Sequence, residues 1–135
     1  MVANRSENTR PEIRLRLALF ALGFRYRKHR RITVGTDSVR PDIVFVAPRV
    51  AAFVDGCFWH ACDLHRTVPV TNRPFWERKL RLNVVRDHHQ QELLERAGWA
   101  VARVWEHEDT ISAADRIAGI LRRAMSQTRD SRIRH

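Results

Sequence analysis

Two groups of side chains in this sequence could do chemistry. The first is Cys57-x4-Cys62-x2-His65, three soft or borderline ligands close together in one stretch of chain. Thiolate and imidazole are the donors that tetrahedral zinc prefers. A closed structural site takes a fourth ligand, and His107 is the best candidate, with His60 as its rival. A disulfide between the two cysteines is disfavoured in a reducing compartment. Two buried free thiols beside unrelated histidines are the plainer alternative.

The second group is acidic. Asp42 heads one apolar run, Asp55 closes the next, and His60 follows just beyond Gly56. Carboxylates at strand ends hold hard dications such as magnesium. With a histidine to move a proton, such a site suits phosphodiester hydrolysis. Taken singly, each acid has an ordinary reading. Asp42 is a solvated strand end, Glu12 belongs to a capping box Thr9-Arg10-Pro11-Glu12, and Asp87 pairs with Arg86 on a helix surface.

Charge narrows the substrate. The formal net charge is +10, from 25 Lys plus Arg against 15 Asp plus Glu. Such an excess attracts polyanions, and guanidinium groups suit phosphate. Two aromatic pairs accompany the cysteine-rich stretch, Phe58-Trp59 within it and Phe75-Trp76 after it. Large rings on a basic protein can wedge between base steps. Phe58 and Trp59 could equally cover a small core around zinc, and Phe75 is expected in the core, as are Trp99 and Trp105. No run approaches the length of a membrane span, and the N-terminal residues lack the apolar stretch of a secretory signal. A cytoplasmic protein with no membrane partner is therefore expected.

These residues need elements to position them. A helix is expected from Ile13, carrying Ile13, Leu17, Phe20 and Ala21 on an apolar stripe and stopping at Gly23. Phe24 to Arg27 reads as a short strand and residues 30–40 as a polar loop. Pro41–Val46 and Arg49–Asp55 read as an antiparallel hairpin about Ala47-Pro48, which puts Asp42 and Asp55 at one edge of a sheet. Residues 56–74 read as an ordered loop, Phe75–Ala97 as a long helix stopped by Gly98, and Trp99–Trp105 as a strand. Ile111–Met125 is a second amphipathic helix, and the basic tail at 126–135 should fray. The whole, residues 1–135, makes one α/β domain around a mixed sheet.

One family shares this pattern. Val54-Asp-Gly-Cys-Phe-Trp-His60, Cys62, His65, Pro69, Asn72, Phe75-Trp76, Lys79, Asn83, Arg86-Asp87, Gly98-Trp99 and Val104-Trp-Glu-His107 resemble the very-short-patch repair (Vsr) endonucleases in order and spacing. Pro41-Asp42 resembles the start of that family's core, and the likeness covers residues 8–108. It implies a restriction-endonuclease-like mixed β-sheet flanked by helices, with a structural zinc site. It further implies magnesium-dependent nicking of duplex DNA on the 5′ side of the thymine in a T:G mismatch. By that resemblance Asp42 and the backbone carbonyl of Val54 hold magnesium, and His60 assists hydrolysis. Glu12 and Asp87 hold metal-bound water or orient the histidine. Phe58, Trp59 and Trp76 intercalate beside the mismatch, and Cys57, Cys62, His65 and His107 bind zinc. A monomer is expected, with mismatch-repair helper proteins as candidate partners.

Two departures stand out. Asp55 occupies a position where the best-known members carry histidine, and an acid there favours metal binding over proton transfer. The chain also starts close to Glu12, which leaves little of a basic N-terminal arm. Two competing functions follow: a nicking nuclease without T:G preference, acting on another lesion or in restriction or phage defence, and a zinc-stabilised DNA-binding module without chemistry. Clustered acids, which repel phosphate, argue against the pure binder.

Overall fold

The strand β5 (Val50–Asp55) is buried along its whole length. Its first five residues are uncharged and apolar, so both of its faces need covering. In the computed structural model, residues 10–56 and 72–133 are described, with side chains to Gln127. On one side of β5 lies β4 (Ile43–Phe45), antiparallel, with Ile43 opposite Ala52 and Phe45 opposite Val50. On the other side lies β6 (Ala100–Trp105), parallel, in register from Val50–Ala100 to Asp55–Trp105. A short edge strand, β1 (Arg27–Lys28), completes the order β1-β4-β5-β6. A tight turn cannot join parallel neighbours, so the chain crosses between β5 and β6 through the long helix α2 (Arg73–Arg96).

Side-chain alternation sorts the residues of β5 between two cores. Val50, Ala52 and Val54 join Ile43, Phe45, Ala102 and Val104 on one face. That face packs on Leu15 and Leu19 of α1 (Arg10–Ala21) and on Ala113, Ile117 and Leu121 of α3 (Thr110–Ile133). Ala51 and Phe53 face the other way, with Val44, and meet Leu94 of α2. Ile32 and Val39 close this second core from a small antiparallel hairpin, β2 (Ile32–Val34) and β3 (Asp37–Val39). Helices therefore flank a mixed four-stranded sheet, as the sequence pattern implies.

Five details differ from the sequence expectation. On α1 the inward face is Glu12, Leu15, Arg16 and Leu19, while Ile13, Leu17 and Phe20 are exposed. The apolar stripe misleads because two inward positions carry charges that pair with one another. The strand expected at 24–27 is shifted to Arg27–Lys28. Residues 30–40 contain the β2–β3 hairpin, turned at Gly35 with φ 61. Phe75 lies outside the core and is 56% exposed, edge-on to Trp76 with centroids 5.2 Å apart. The tail expected to fray instead continues α3 to Ile133.

The stop at Gly98 has a visible cause. Its φ of 91 suits glycine, and a Cβ there would meet Arg49 Nη1 at 3.3 Å. Arg49 donates from Nη2 to the carbonyl of Ala97 at 2.9 Å and lies over the Trp99 ring. A cation thus satisfies a terminal carbonyl of α2, where the helix dipole favours it.

Candidate active site

At the end of the sheet where β4 begins and β5 finishes, three ligand-bearing side chains converge. Glu12 comes from the first turn of α1, His29 follows β1, and Asp42 precedes β4. One donor atom from each lies within 4.8 Å of the others. Asp42 is fixed by the sheet: its N–H donates to the carbonyl of Ala52 at 3.1 Å, and its Oδ2 accepts from the N–H of Val54 at 2.7 Å. Charged side chains are seldom this buried without a strong reason. Glu12 is 1% exposed and Asp42 2%.

Glu12 shares its charge with Arg16, one helical turn on, whose Nη1 donates to Oε1 at 3.1 Å. The same oxygen lies 2.9 Å from His29 Nε2. That contact is short but lacks hydrogen-bond alignment, and Nε2 is a buried polar atom without a hydrogen-bond partner. The backbone holds His29 in place: φ is 51, and its N–H donates to the carbonyl of Asp42 at 3.2 Å. Two carboxylates, a guanidinium and an imidazole therefore meet in one place. This donor set fits a divalent cation.

Asp55 behaves differently. It lies at the same end of the sheet but does not belong to this group. A single guanidinium nitrogen, Arg103 Nη1, lies 3.1 Å from both of its oxygens. Arg103 reaches across to α2 with its other nitrogens, from Nε to Gln91 Oε1 at 2.9 Å and from Nη2 to the carbonyl of Asp87 at 3.1 Å. The guanidinium also covers the Phe53 ring at 4.4 Å. Arg103 thus links Asp87 to Asp55, while the Asp87 carboxylate lies 3.9 Å from Arg86.

The remaining sequence candidates divide simply. Phe58, Trp59, His60, Cys57, Cys62 and His65 lie outside the described residues. His107 is exposed just past β6 and stacks on Trp105 with centroids 6.2 Å apart. Trp76 is half-buried in the first turns of α2. Sequence reasoning overlooked His29, Arg16 and Arg103. His29 sits in a run of cations from Arg25 to Arg31 and reads as one more loop charge. Its closeness to Asp42 comes from β1 pairing with β4, which no local spacing announces. Around it Arg25, Arg27, Lys28, Arg30 and Arg31 are all exposed.

Comparison with known proteins identifies the family. Residues 1–66 match the family model described as DNA mismatch endonuclease Vsr. The chain is 50% identical over 122 residues to the Type II nicking enzyme V.NaeI of Lentzea aerocolonigenes, covering 90% of this chain and 74% of that one. It is 42% identical over 106 residues to the Type II nicking enzyme V.XorIIP of Xanthomonas oryzae pv. oryzae, covering 77% and 74%. The DNA mismatch endonuclease Vsr of Escherichia coli is 44% identical over 69 residues, 50% of this chain and 44% of that protein. A sheet-edge carboxylate group beside an exposed basic segment, in a chain this close to named nicking enzymes, places the protein in the Vsr family of DNA endonucleases.

Proposed function

We propose that this protein nicks one strand of duplex DNA with a divalent cation held at Asp42. The observation that carries the reading is the buried convergence of Glu12, His29 and Asp42 at the sheet edge. Asp42, with the backbone carbonyl of Val54, would hold magnesium, and Glu12 would hold its water. When bound, the cation supplies charge stabilisation at the phosphate and an activated water. The protein's own part is to aim and to neutralise. Val54 N–H fixes the Asp42 carboxylate, Arg16 holds Glu12, and the exposed Arg27, Lys28, Arg30 and Arg31 draw in the phosphate backbone. His60 would move the proton, with Asp87 as a candidate to orient it.

The finer substrate is a T:G mismatch, nicked 5′ of the thymine in very-short-patch repair. Phe58, Trp59 and Trp76 would enter the poorly stacked mismatched step at reduced cost. The names of the V.NaeI and V.XorIIP relatives, which specify nicking but not mismatch, favour a second reading: nicking without T:G preference. One assay separates them, on two duplexes differing only in that pair, with magnesium or EDTA. A magnesium-dependent single-strand cut, faster on T:G by tenfold or more, on the order of what a few kcal/mol of saved unstacking allows, is expected. Cutting that persists in EDTA sinks the metal reading; equal rates on the two duplexes leave the second.

Zinc at Cys57, Cys62, His65 and His107 belongs to the same proposal, and the donor set of two thiolates and two imidazoles suits that ion. Asp55 and Trp105 are register partners, and two residues beyond them in the chain come Cys57 and His107. Purified protein should carry one zinc per chain. Its removal by chelator should lower the melting temperature sharply, because a four-ligand site couples binding to folding.

A further inference from the structure

We infer that His29 is a nitrogen ligand of the catalytic cation, and that the site therefore favours first-row transition dications over magnesium. The inference rests on the metal reading above and goes beyond it by adding a donor of a different chemical kind. Three observations on one side chain carry it. Nε2 of His29 is buried without an aligned hydrogen bond, although it lies 2.9 Å from Glu12 Oε1. It lies within 4.8 Å of ligand atoms from both Glu12 and Asp42. It is held there by a left-handed backbone, φ 51, whose N–H is tied to Asp42 itself.

A buried polar atom that makes no hydrogen bond costs about 1–3 kcal/mol, so a fold that keeps one gains from a better-aligned partner. Arg16 already pairs with the Glu12 oxygen nearest to His29, so no second cation is needed at that oxygen. An imidazole nitrogen set among two carboxylates is instead suited to a metal ion. Magnesium keeps to oxygen ligands and water, whereas transition dications gain more from imidazole. The oxygen donors then serve either ion, and His29 decides between them.

The experiment uses the full zinc-loaded chain and Mn2+ alone as the probe, counted by the EPR signal of free ion, with Mg2+ measured by competition. His29→Asn is the variant, because asparagine tolerates positive φ. Its Mn2+ affinity should fall by about tenfold or more, the scale on which metal-site partners act, while Mg2+ affinity changes little. Pulsed EPR of the Mn2+-loaded His60→Ala chain should show nitrogen coupling, and this second measurement decides if His29→Asn fails to fold. An unchanged Mn2+-to-Mg2+ ratio in folded His29→Asn, or no nitrogen coupling in His60→Ala, overturns the inference. Asp42→Asn separates this outcome from failure of the underlying site: if it binds both ions as the wild type does, the metal reading itself is wrong.

Discussion

Asp42 and Asp55 are buried almost equally, 2% and 4% exposed, at the same end of one sheet. Their partners set them apart. Asp55 is met on both oxygens by Arg103, whose remaining nitrogens are spent on α2. Asp42 accepts from the N–H of Val54 and lies beside Glu12 and His29. One carboxylate is neutralised in place and ties a helix to a strand. The other lies in a group of side chains that could hold a metal ion. Burial alone does not mark a catalytic acid; what matters is which side chains gather around it.

The largest effect that tests this contrast is on activity. Asp42→Asn keeps an oxygen to accept from Val54 N–H but removes the charge. Nicking should fall by roughly a thousandfold or more, matching several kcal/mol of lost charge stabilisation, with duplex binding retained. Wild-type nicking rates at equal magnesium would erase the distinction between the two acids.

Stability provides the next test. Arg103→Met keeps bulk over Phe53 but removes the guanidinium that meets both oxygens of the buried Asp55. Breaking one side of such a pair costs about 3–5 kcal/mol, at the lower end here because Arg103 is partly exposed. Denaturant melts should show that loss, and Arg103→Met combined with Asp55→Leu should recover part of it. A nicking defect in a variant that melts normally would move the Arg103 side into the catalytic machinery and sharpen the comparison against us.

The smallest effect calibrates the scaffold. Gly98→Ala strains a positive φ and crowds Arg49, for a cost of about 1–2 kcal/mol with no change in nicking by the folded protein. Loss of nicking there would mean that the end of α2 matters to the site.

How much of this was legible beforehand depended on where charges are buried. The β4–β5 hairpin follows from two apolar runs about Ala47-Pro48, and α2 and β6 from the break at Gly98. Those elements bury apolar residues, so their pattern is in the sequence. The buried face of α1 is half charged, and the rule that apolar positions point inward chose Ile13, Leu17 and Phe20 wrongly. The β2–β3 hairpin has strands of only three residues, too short for alternation to register. Asp42 and Glu12 were legible as acids, but His29 and Arg103 acquire meaning only through strand pairing and a helix crossing.

The order of the chain through the sheet has a kinetic consequence. Glu12, His29, Asp42 and Val54 all belong to the α1–β5 half, whose antiparallel strands follow one another closely. The parallel pairing of β5 with β6 has to wait for the whole crossover through α2 to close, which costs more loop entropy. Hydrogen exchange should therefore find β6 and the end of α2 opening at lower free energy than β4 and β5. Asp42 and its neighbours would then keep their geometry through such openings, while the clasp at Arg103 is the part that comes undone.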